Sequence, residues 1–425
     1  MTLSALTVFR PAGMPPEELT LFKSIIIYCF AMSLVVTGFF HYPFTRYLAD
    51  RLFGREEESV LPVFNTAAVL VLATQALVAV AFFMSTGLTP ALKFLSVMTA
   101  VTLALVWIVM IFLTTLKDYG AIVWCYFAGS VASVILSIFL GGRAGLAGYL
   151  AGYWAGQLLT AFLWMGRLHI EFSSERLFEW ESARYLQKHF KLALVGLFYN
   201  LGVWADKAMF WFSPRGEEIV PGLRIFTMYD SASFFAYLTV IPALSVFMIK
   251  VETDFYIEYR RYFERILQKE PYSAIQKARE GMAQALRTSI TALLGIQGTV
   301  TTLAVLFAVP CAAILRMPPE IVPIFKVLCL GSFLNAAYLI VCVLILYFDF
   351  QGTALIASVI FFAGNTLFTA MTVPAGEMYY GFGYTAGCWL ALLAAYFLLD
   401  RRLARLEYHT FTSQRVGGPK DETLV

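Results

Sequence analysis

Stretches of about twenty mostly apolar residues recur along the chain, and they constrain its fold more than any other feature. Inside a bilayer every backbone amide must find an internal partner, so only helices and closed barrels span it. Barrel strands alternate apolar and polar residues over about ten positions, whereas these stretches are continuously apolar. The sequence therefore predicts an all-α polytopic membrane protein with about eleven transmembrane helices. The predicted spans are residues 22–44, 62–87, 91–116, 119–141, 144–166, 189–213, 232–250, 286–309, 323–347, 352–374 and 380–399.

Composition supports a bilayer as the solvent of this chain. Of its 425 residues, 60% are hydrophobic and 14% are charged, against about 45–50% and 25% in soluble globular proteins. Such an excess cannot be buried in a water-exposed fold, because the surface of a soluble protein must carry polar groups.

The sequence carries none of the motifs that identify common enzymes and metal sites. No two of its six cysteines form a CxxC pair, and no two of its four histidines are spaced to share a metal ion. It contains neither a phosphate-binding GxxxxGKS/T loop nor a GxSxG nucleophile motif. We therefore expect no metal ion, no cofactor, no nucleic-acid partner and no enzyme activity in this chain.

Lysine and arginine residues gather in loops that fall on one side if the spans alternate. They cluster just after the first span, within residues 167–188, between Lys250 and Arg287, and in the tail. Because basic loops stay in the cytoplasm, the sequence predicts an inner-membrane protein with a cytoplasmic C-terminus. An odd number of spans then places residues 1–20 outside. We expect either that the N-terminus crosses unaided or that a span usually found upstream is missing.

The spacing of spans divides the chain into two lobes. Residues 1–166 are predicted to form an N-terminal lobe of about five spans, and 189–400 a C-terminal lobe of about six. Residues 167–188 form a cytoplasmic connector, and 401–425 a cytoplasmic tail. Two halves of about six helices are a common transporter plan, with the substrate path between them.

The C-terminal lobe contains an amphipathic cytoplasmic segment, residues 255–285. Aromatic and apolar residues recur at helical spacing over Phe255–Leu267, with arginines and a glutamate on the other side. Two interpretations are open. The helix rests on the inner leaflet of the membrane, or it docks a cytosolic partner.

One predicted span contains an adjacent acid and base, Asp206 and Lys207. A charge near the bilayer centre costs about 2.5–3.5 kcal/mol on insertion scales, so such groups face a protein interior or a wet cavity. Either the two form a buried ion pair that pins the helix to its neighbours, or they line a polar conduit.

Other polar and small residues inside spans give weaker signals. Interhelical hydrogen bonds or a pathway would explain Gln157, Asn200, Gln297, Asn335 and Asn365. Glycines at 148, 152 and 156 form a GxxxGxxxG face, which predicts close helix packing. A proline at 242 predicts a kink.

Charged residues also lie near span ends. Arg224 and Asp230 belong to an exterior loop, whose aromatic and hydrogen-bonding side chains suit a sugar or an ordinary interface belt. Glu252 and Asp254 follow the span that contains Pro242, where two carboxylates either gate an entrance or are solvated at the interface.

The central block of the chain is distinctive enough to suggest a family. It reads YNLGVWADK over residues 199–207 and FWFSP over 210–214, and it continues through LR at 223–224, YD at 229–230, AYL at 236–238, IP at 241–242 and ETDF at 252–255. With ADRLF at residues 49–53, this block resembles the Pel exopolysaccharide exporter family, PelG, a branch of the multidrug/oligosaccharidyl-lipid/polysaccharide flippase superfamily.

The resemblance implies a twelve-helix flippase-type fold, here lacking its first helix, with a pathway between two lobes. It also implies association with a cytosolic glycosyltransferase and with small membrane subunits of a polysaccharide synthase that makes a hexosamine-rich polymer. Asn200 is a path candidate from its place in a span. The resemblance adds six further candidates for the path and its ends: Asp206, Lys207, Arg224, Asp230, Glu252 and Asp254.

Three functions follow from these observations. The first is export of a hexosamine-rich exopolysaccharide during its synthesis, driven by chain elongation. The second is a flippase for lipid-linked sugars or an ion-coupled small-molecule exporter, in which Asp206 would titrate. The third is a membrane scaffold that anchors a polysaccharide synthase through Phe255–Leu267.

Overall fold

The computed structural model describes residues 15–114, 119–315 and 317–404 of the chain. Helices form almost all of this part, and its only sheet is a small antiparallel hairpin of two strands. The strands are β1 (Glu217–Val220) and β2 (Leu223–Ile225). The α-helices are α1 (Pro16–Phe53), α2 (Val60–Met84), α3 (Pro90–Leu113), α4 (Tyr119–Glu171), α5 (Trp180–Lys188), α6 (Phe190–Trp211), α7 (Thr227–Leu238), α8 (Ile241–Lys250), α9 (Tyr256–Leu267), α10 (Tyr272–Leu306), α11 (Ala308–Ile314), α12 (Ile321–Tyr347), α13 (Gln351–Thr372) and α14 (Phe382–Leu403).

Nine helical segments in the described part are long and apolar enough to cross a membrane. The longest lies within α4, which has non-helical backbone angles at Ala144 and Gly145 and therefore consists of two arms, residues 119–143 and 146–171. Helix α6 adds 22 residues, about 33 Å at 1.5 Å per residue, enough to span the hydrocarbon core. Within the described residues, each span predicted from hydropathy thus lies mainly in helix, and the all-α polytopic fold is confirmed.

The two arms of α4 pack closely through the predicted glycine face. A Cβ atom at Gly148, Gly152 or Gly156 would overlap the backbone of the facing arm, for example at Ser133 and Ser137. The Ser137 hydroxyl also donates a hydrogen bond across the arms, to a backbone carbonyl at 3.1 Å. The close-packing prediction is therefore confirmed, and any larger side chain on this face would push the arms apart.

The helix predicted to kink at Pro242 is interrupted two residues before it. Helix α7 ends at Leu238 and α8 begins at Ile241, so the chain breaks just before the proline. Pro242 occupies the first turn of α8, where a backbone N–H has no intrahelical partner in any helix. The break costs fewer hydrogen bonds than a kink in the middle of a helix would.

The amphipathic segment is one arm of a helical hairpin. Helices α8 and α9 are joined by a π-helical turn, Val251–Phe255, into one continuous helical run. Helix α9 then packs antiparallel against the start of α10, because Arg265 donates to the Ala274 carbonyl at 2.9 Å and Glu258 lies beside Gly281. We call α9 and residues 272–285 of α10 the α9–α10 hairpin.

This hairpin covers the apolar face that the sequence assigned to the inner leaflet, and contact of the segment with the membrane stays a prediction. The apolar face of α9 is centred on Tyr262 and Ile266, which are buried. Facing residues of α10, including Ile275 and Met282, are buried too. Since α10 covers that face, it is not available to the acyl chains of a leaflet.

The described chain forms two compact units. The first contains residues up to Trp204 together with Trp211–Phe226, and the second contains Ala205–Phe210 and the chain from Thr227 onward. The first unit has a core of large side chains on α1 to α4, such as Phe64 and Phe112, whose ring centroids lie 5.4 Å apart. The predicted lobe boundary assigns all of α6 to the C-terminal lobe, whereas residues 190–204 of α6 pack with the first unit.

Candidate functional site

A buried polar centre lies in the second unit, around the carboxylate of Asp206. We use the name polar centre for the side chains of Asp206, Lys207, Tyr229, Asn365 and Thr369. Helix α6 supplies the acid and the base, α7 supplies the tyrosine, and α13 supplies the amide and the hydroxyl. Asp206 is 0% exposed, and the Lys207 side chain is 8% exposed.

Both carboxylate oxygens of Asp206 accept hydrogen bonds. The Lys207 ammonium lies 3.3 Å from each oxygen. The Tyr229 hydroxyl donates to Oδ2 at 2.7 Å, and the Asn365 amide donates to Oδ1 at 3.3 Å. Thr369 in turn donates to the Asn365 amide oxygen at 3.0 Å, which fixes the orientation of that amide. The anion is therefore held from α6, α7 and α13 at once.

Two further tyrosines surround the ammonium of Lys207. Its Nζ atom lies 4.9 Å from the ring centroid of Tyr237 and 5.6 Å from that of Tyr384. The Tyr237 hydroxyl donates to the Tyr384 hydroxyl at 2.8 Å, so the two rings are held together. Aromatic faces attract a cation electrostatically, most strongly when water is excluded.

This geometry favours one of the two interpretations of the charged pair. A side chain that lines a water-filled conduit keeps some exposed surface, and Asp206 has none. The carboxylate and the ammonium instead neutralise each other inside packed protein, with their remaining hydrogen-bonding capacity directed at neighbouring helices. In this structure the two charges form a buried ion pair whose further contacts come from α7 and α13, and a role of the pair in a path stays a prediction.

Sequence reasoning missed most partners of this pair. Asn365 was noted only as one of several polar residues in spans, and Thr369 gave no signal. Tyr229, Tyr237 and Tyr384 lie in apolar stretches, where tyrosine is common at membrane interfaces. A useful signal would have been that a tyrosine hydroxyl away from the interface needs a buried partner.

Arg224, in the first unit, donates hydrogen bonds to the backbone of the loop that follows α6. Its guanidinium donates to three backbone carbonyls, of Trp211 at 3.0 Å, Ser213 at 3.2 Å and Gly216 at 2.8 Å. Its own carbonyl accepts a hydrogen bond from the Tyr28 hydroxyl at 2.8 Å. Arginine thereby fixes the loop between α6 and the β-hairpin, because its planar fork reaches several acceptors at once.

Asn200 lies at a close contact between α1 and α6 in the first unit. Its amide donates to the Gly196 carbonyl, one turn back, at 2.8 Å. Position 196 has no room for a side chain, because a Cβ atom there would overlap the Gly38 carbonyl. The structure accounts for this residue through helix packing.

The remaining candidates are scattered. Asp230 is partly buried in the first turn of α7, where its negative charge interacts favourably with the helix dipole. Glu252 belongs to the π-helical turn, and its side chain lies outside the described part. Asp254 is 56% exposed and lies 3.8 Å from the Lys250 ammonium. Asn200 and Arg224 thus belong to the first unit and the other five candidates to the second, and the role of all seven in a path stays a prediction.

A second ionic cluster fastens the connector to the first unit. Arg51, at the end of α1, lies 2.7 Å from Glu56 and 2.8 Å from Glu181 of α5. Nearby, the Tyr185 hydroxyl donates to the Asp50 carboxylate. Burial raises the pKa of Tyr185 above its usual range, and the bond to Asp50 raises it further. Helix α5 is thereby held on the end of α1.

The whole fold resembles solved transporters of one superfamily. An outward-facing multidrug resistance MATE family transporter of the MOP superfamily aligns with a TM-score of 0.69 at 14% identity, covering 96% of this chain and 92% of that one. The lipid II flippase MurJ, in an inward closed conformation, aligns with a TM-score of 0.64 at 12% identity, covering 98% and 92%. A MOP superfamily transporter from Pyrococcus furiosus aligns with a TM-score of 0.65 at 13% identity, covering 95% and 91%. At these identities the likeness concerns the fold.

Sequence comparison identifies the family. The model of the PelG exopolysaccharide exporter (EPS-E) family matches residues 1–411, nearly the full length of the chain. No curated protein sequence matches the chain significantly. The family match, on a fold of the flippase superfamily, confirms the resemblance seen in the central block, and the chain belongs to the PelG exopolysaccharide exporter family as a multi-pass membrane exporter of polysaccharide.

Proposed function

We propose that this protein exports a hexosamine-rich exopolysaccharide across the bacterial inner membrane while the polymer is being synthesised. The match of residues 1–411 to the exopolysaccharide exporter family carries this proposal. The substrate class is narrowed by the resemblance of the central block, residues 199–255, to exporters of the Pel polymer. A synthase delivers the polymer from the cytoplasm, and continued elongation advances it.

The proposed orientation places the α9–α10 hairpin and the C-terminus in the cytoplasm. Two observations support it. Arg401 and Arg402 form the last turn of α14, and Arg279 of the hairpin donates to the Leu403 carbonyl at 3.4 Å. These basic groups therefore lie at one level of the second unit, as expected for a cytoplasmic membrane face.

The tip of the α9–α10 hairpin is the proposed docking site for the synthase. Arg279 of the hairpin lies beside the C-terminal end of α14, and α10 begins seven residues earlier, at Tyr272. At 1.5 Å per residue, the tip of the hairpin therefore lies about 10 Å beyond the end of α14. Leu267 and Tyr272, on either side of that turn, are 53% and 60% exposed. An aromatic and an aliphatic side chain beside charged groups match the composition of protein interfaces. We propose that a cytosolic glycosyltransferase binds here, with small membrane subunits beside it.

Export is tested by deleting the gene in its host and complementing it. The secreted polymer is hydrolysed with acid, and its amino sugars are quantified by chromatography. We expect deletion to remove extracellular hexosamine and the wild-type gene to restore it. A secreted polymer of neutral sugars, or unchanged hexosamine in the deletion strain, would contradict the proposed substrate.

Docking is tested by photo-crosslinking in intact cells. A photoreactive amino acid at Tyr272 is expected to capture the glycosyltransferase, identified by mass spectrometry. The matched control is Lys277, an exposed residue on a different face of the same helix. Equal capture from both positions, or from neither, would remove the support for docking at the tip.

A further inference from the structure

We propose that Lys207 is a tethered counter-cation that occupies the cation position of the polar centre, so the exporter works without an exchangeable cation at Asp206. The inference rests on the proposed function in one respect: it implies that no ion is exchanged at this centre during export. Its evidence is the geometry of the second unit.

The carboxylate of Asp206 requires a compensating positive charge. It has no exposed surface and lies on a membrane-spanning helix. An ion moved from water into such an interior loses several kcal/mol of hydration even after the protein relaxes. Neutral donors such as Tyr229 and Asn365 offset part of that loss, but they add no charge. The ammonium of Lys207 is the charge that the structure places within 4 Å of both oxygens.

The surroundings of the Lys207 ammonium form a cation-binding environment. Two carboxylate oxygens lie 3.3 Å from its Nζ atom. The ring centroids of Tyr237 and Tyr384 lie 4.9 and 5.6 Å from Nζ, and a hydrogen bond of 2.8 Å joins the two hydroxyls. Carboxylate and hydroxyl oxygens are hard ligands, and aromatic faces also stabilise cations. This position would accept a monovalent metal ion if the ammonium were absent.

Adjacency in sequence makes the pairing independent of helix movement. Asp206 and Lys207 follow one another on α6, so the ammonium stays within reach of the carboxylate wherever α7 and α13 lie. Movement of α7 or α13 relative to α6 changes the contacts of Tyr229 and Asn365, but it leaves the pair intact. An exchangeable cation would instead leave whenever its ligands separated. The tethered amine therefore keeps the centre neutral throughout a transport cycle.

The test measures cation-specific stability of the purified full-length exporter. Thermal unfolding is followed by tryptophan fluorescence in mildly alkaline buffer, with sodium, potassium or choline chloride at equal ionic strength. We expect the wild type to melt at the same temperature in all three salts. Lys207→Met exposes the vacated position to solvent cations, and its melting temperature is expected to rise by about 4 °C or more in saturating sodium or potassium relative to choline. The double variant Asp206→Asn/Lys207→Met is expected to show no such rise.

Lys207→Gln provides a second variant that keeps hydrogen-bond donors beside Asp206 if the methionine variant does not fold. Two results would overturn the proposal. The first is a sodium- or potassium-specific stabilisation of the wild type that Asp206→Asn removes. The second is a folded Lys207 variant with no cation-specific rise. If neither variant folds, the melting temperatures of the wild type in sodium, potassium and choline chloride still test the proposal.

This readout also separates the inference from the proposed function. A wild type stabilised specifically by sodium would refute the tethered cation and leave polysaccharide export untouched. A genetic test that contradicts export would leave the stability result unchanged, because the unfolding assay contains no substrate.

Discussion

The buried pair predicts strong coupling between Asp206 and Lys207 in a double-mutant cycle. Asp206→Asn leaves the Lys207 ammonium buried with no counter-charge, and Lys207→Met leaves the carboxylate in the same state. Removing one partner of a buried ion pair costs about 3–5 kcal/mol, because the remaining charge is neither hydrated nor compensated. Removing both charges avoids that cost. We therefore expect the double variant to be more stable than either single variant.

The cycle is measured by thermal unfolding in choline chloride, which keeps metal ions from replacing the lost ammonium. A loss of 3–5 kcal/mol corresponds to a fall of roughly 10 °C in melting temperature for a domain of about 200 residues. The coupling energy is expected to be about 2 kcal/mol or more, well above the usual error of additivity.

The matched control is the exposed pair of Lys250 and Asp254, with Asp254 56% exposed and the charged atoms 3.8 Å apart. Exposed ion pairs contribute about 0–1 kcal/mol, so Asp254→Asn is expected to change the melting temperature little. If the losses of Asp206→Asn and Lys207→Met simply add in the double variant, the two charges do not compensate each other, and the account of the polar centre is wrong.

Three other substitutions test separate parts of the molecule. Gly152→Leu forces the arms of α4 apart and is expected to lower both melting temperature and exported polymer, whereas Gly166→Leu, where a Cβ meets nothing within 4 Å, is expected to leave both unchanged. Arg224→Lys keeps the charge but cannot reach three carbonyls; we expect a loss of about 1–3 kcal/mol and faster proteolysis of the loop before the β-hairpin. Tyr185→Phe removes the hydrogen bond to Asp50 and is expected to cost about 1 kcal/mol at neutral pH. Because the folded pKa of Tyr185 is raised, that difference is present below the ordinary tyrosine pKa of about 10 and is lost as pH rises above it; a difference that grew in alkaline buffer would contradict this.

Continuous apolar runs made the helices predictable, but the ends of the helices were not. Hydropathy reports where a helix meets lipid, and a helix continues past that point if other protein covers it. Helix α1 therefore extends to Phe53, and α10 begins at Tyr272, well before the apolar run that predicted its span. In the same way, the sequence of α9 cannot show that α10 covers Tyr262 and Ile266.

Charge in an apolar span singled out Asp206 and Lys207, since such residues are rare without a specific partner, and the structure buries both. The partners depend on which helices meet, and sequence spacing says nothing about contacts between α6, α7 and α13. Arg224 illustrates a different limit. The resemblance made it a candidate for the path or its ends, and the structure shows its guanidinium donating to backbone carbonyls of a loop. Such carbonyls have no signature in side-chain sequence.

Polymer translocation in inverted membrane vesicles tests the central claim most directly. Vesicles that carry the synthase, with and without this exporter, receive a radiolabelled nucleotide-activated hexosamine on their outer, cytoplasmic face. After synthesis, an added glycoside hydrolase digests any polymer that remains outside. With the exporter present, we predict labelled polymer that resists the hydrolase until detergent opens the vesicles. Equal protection with and without the exporter, or polymer that is fully digestible in both, would contradict its role as the polysaccharide exporter.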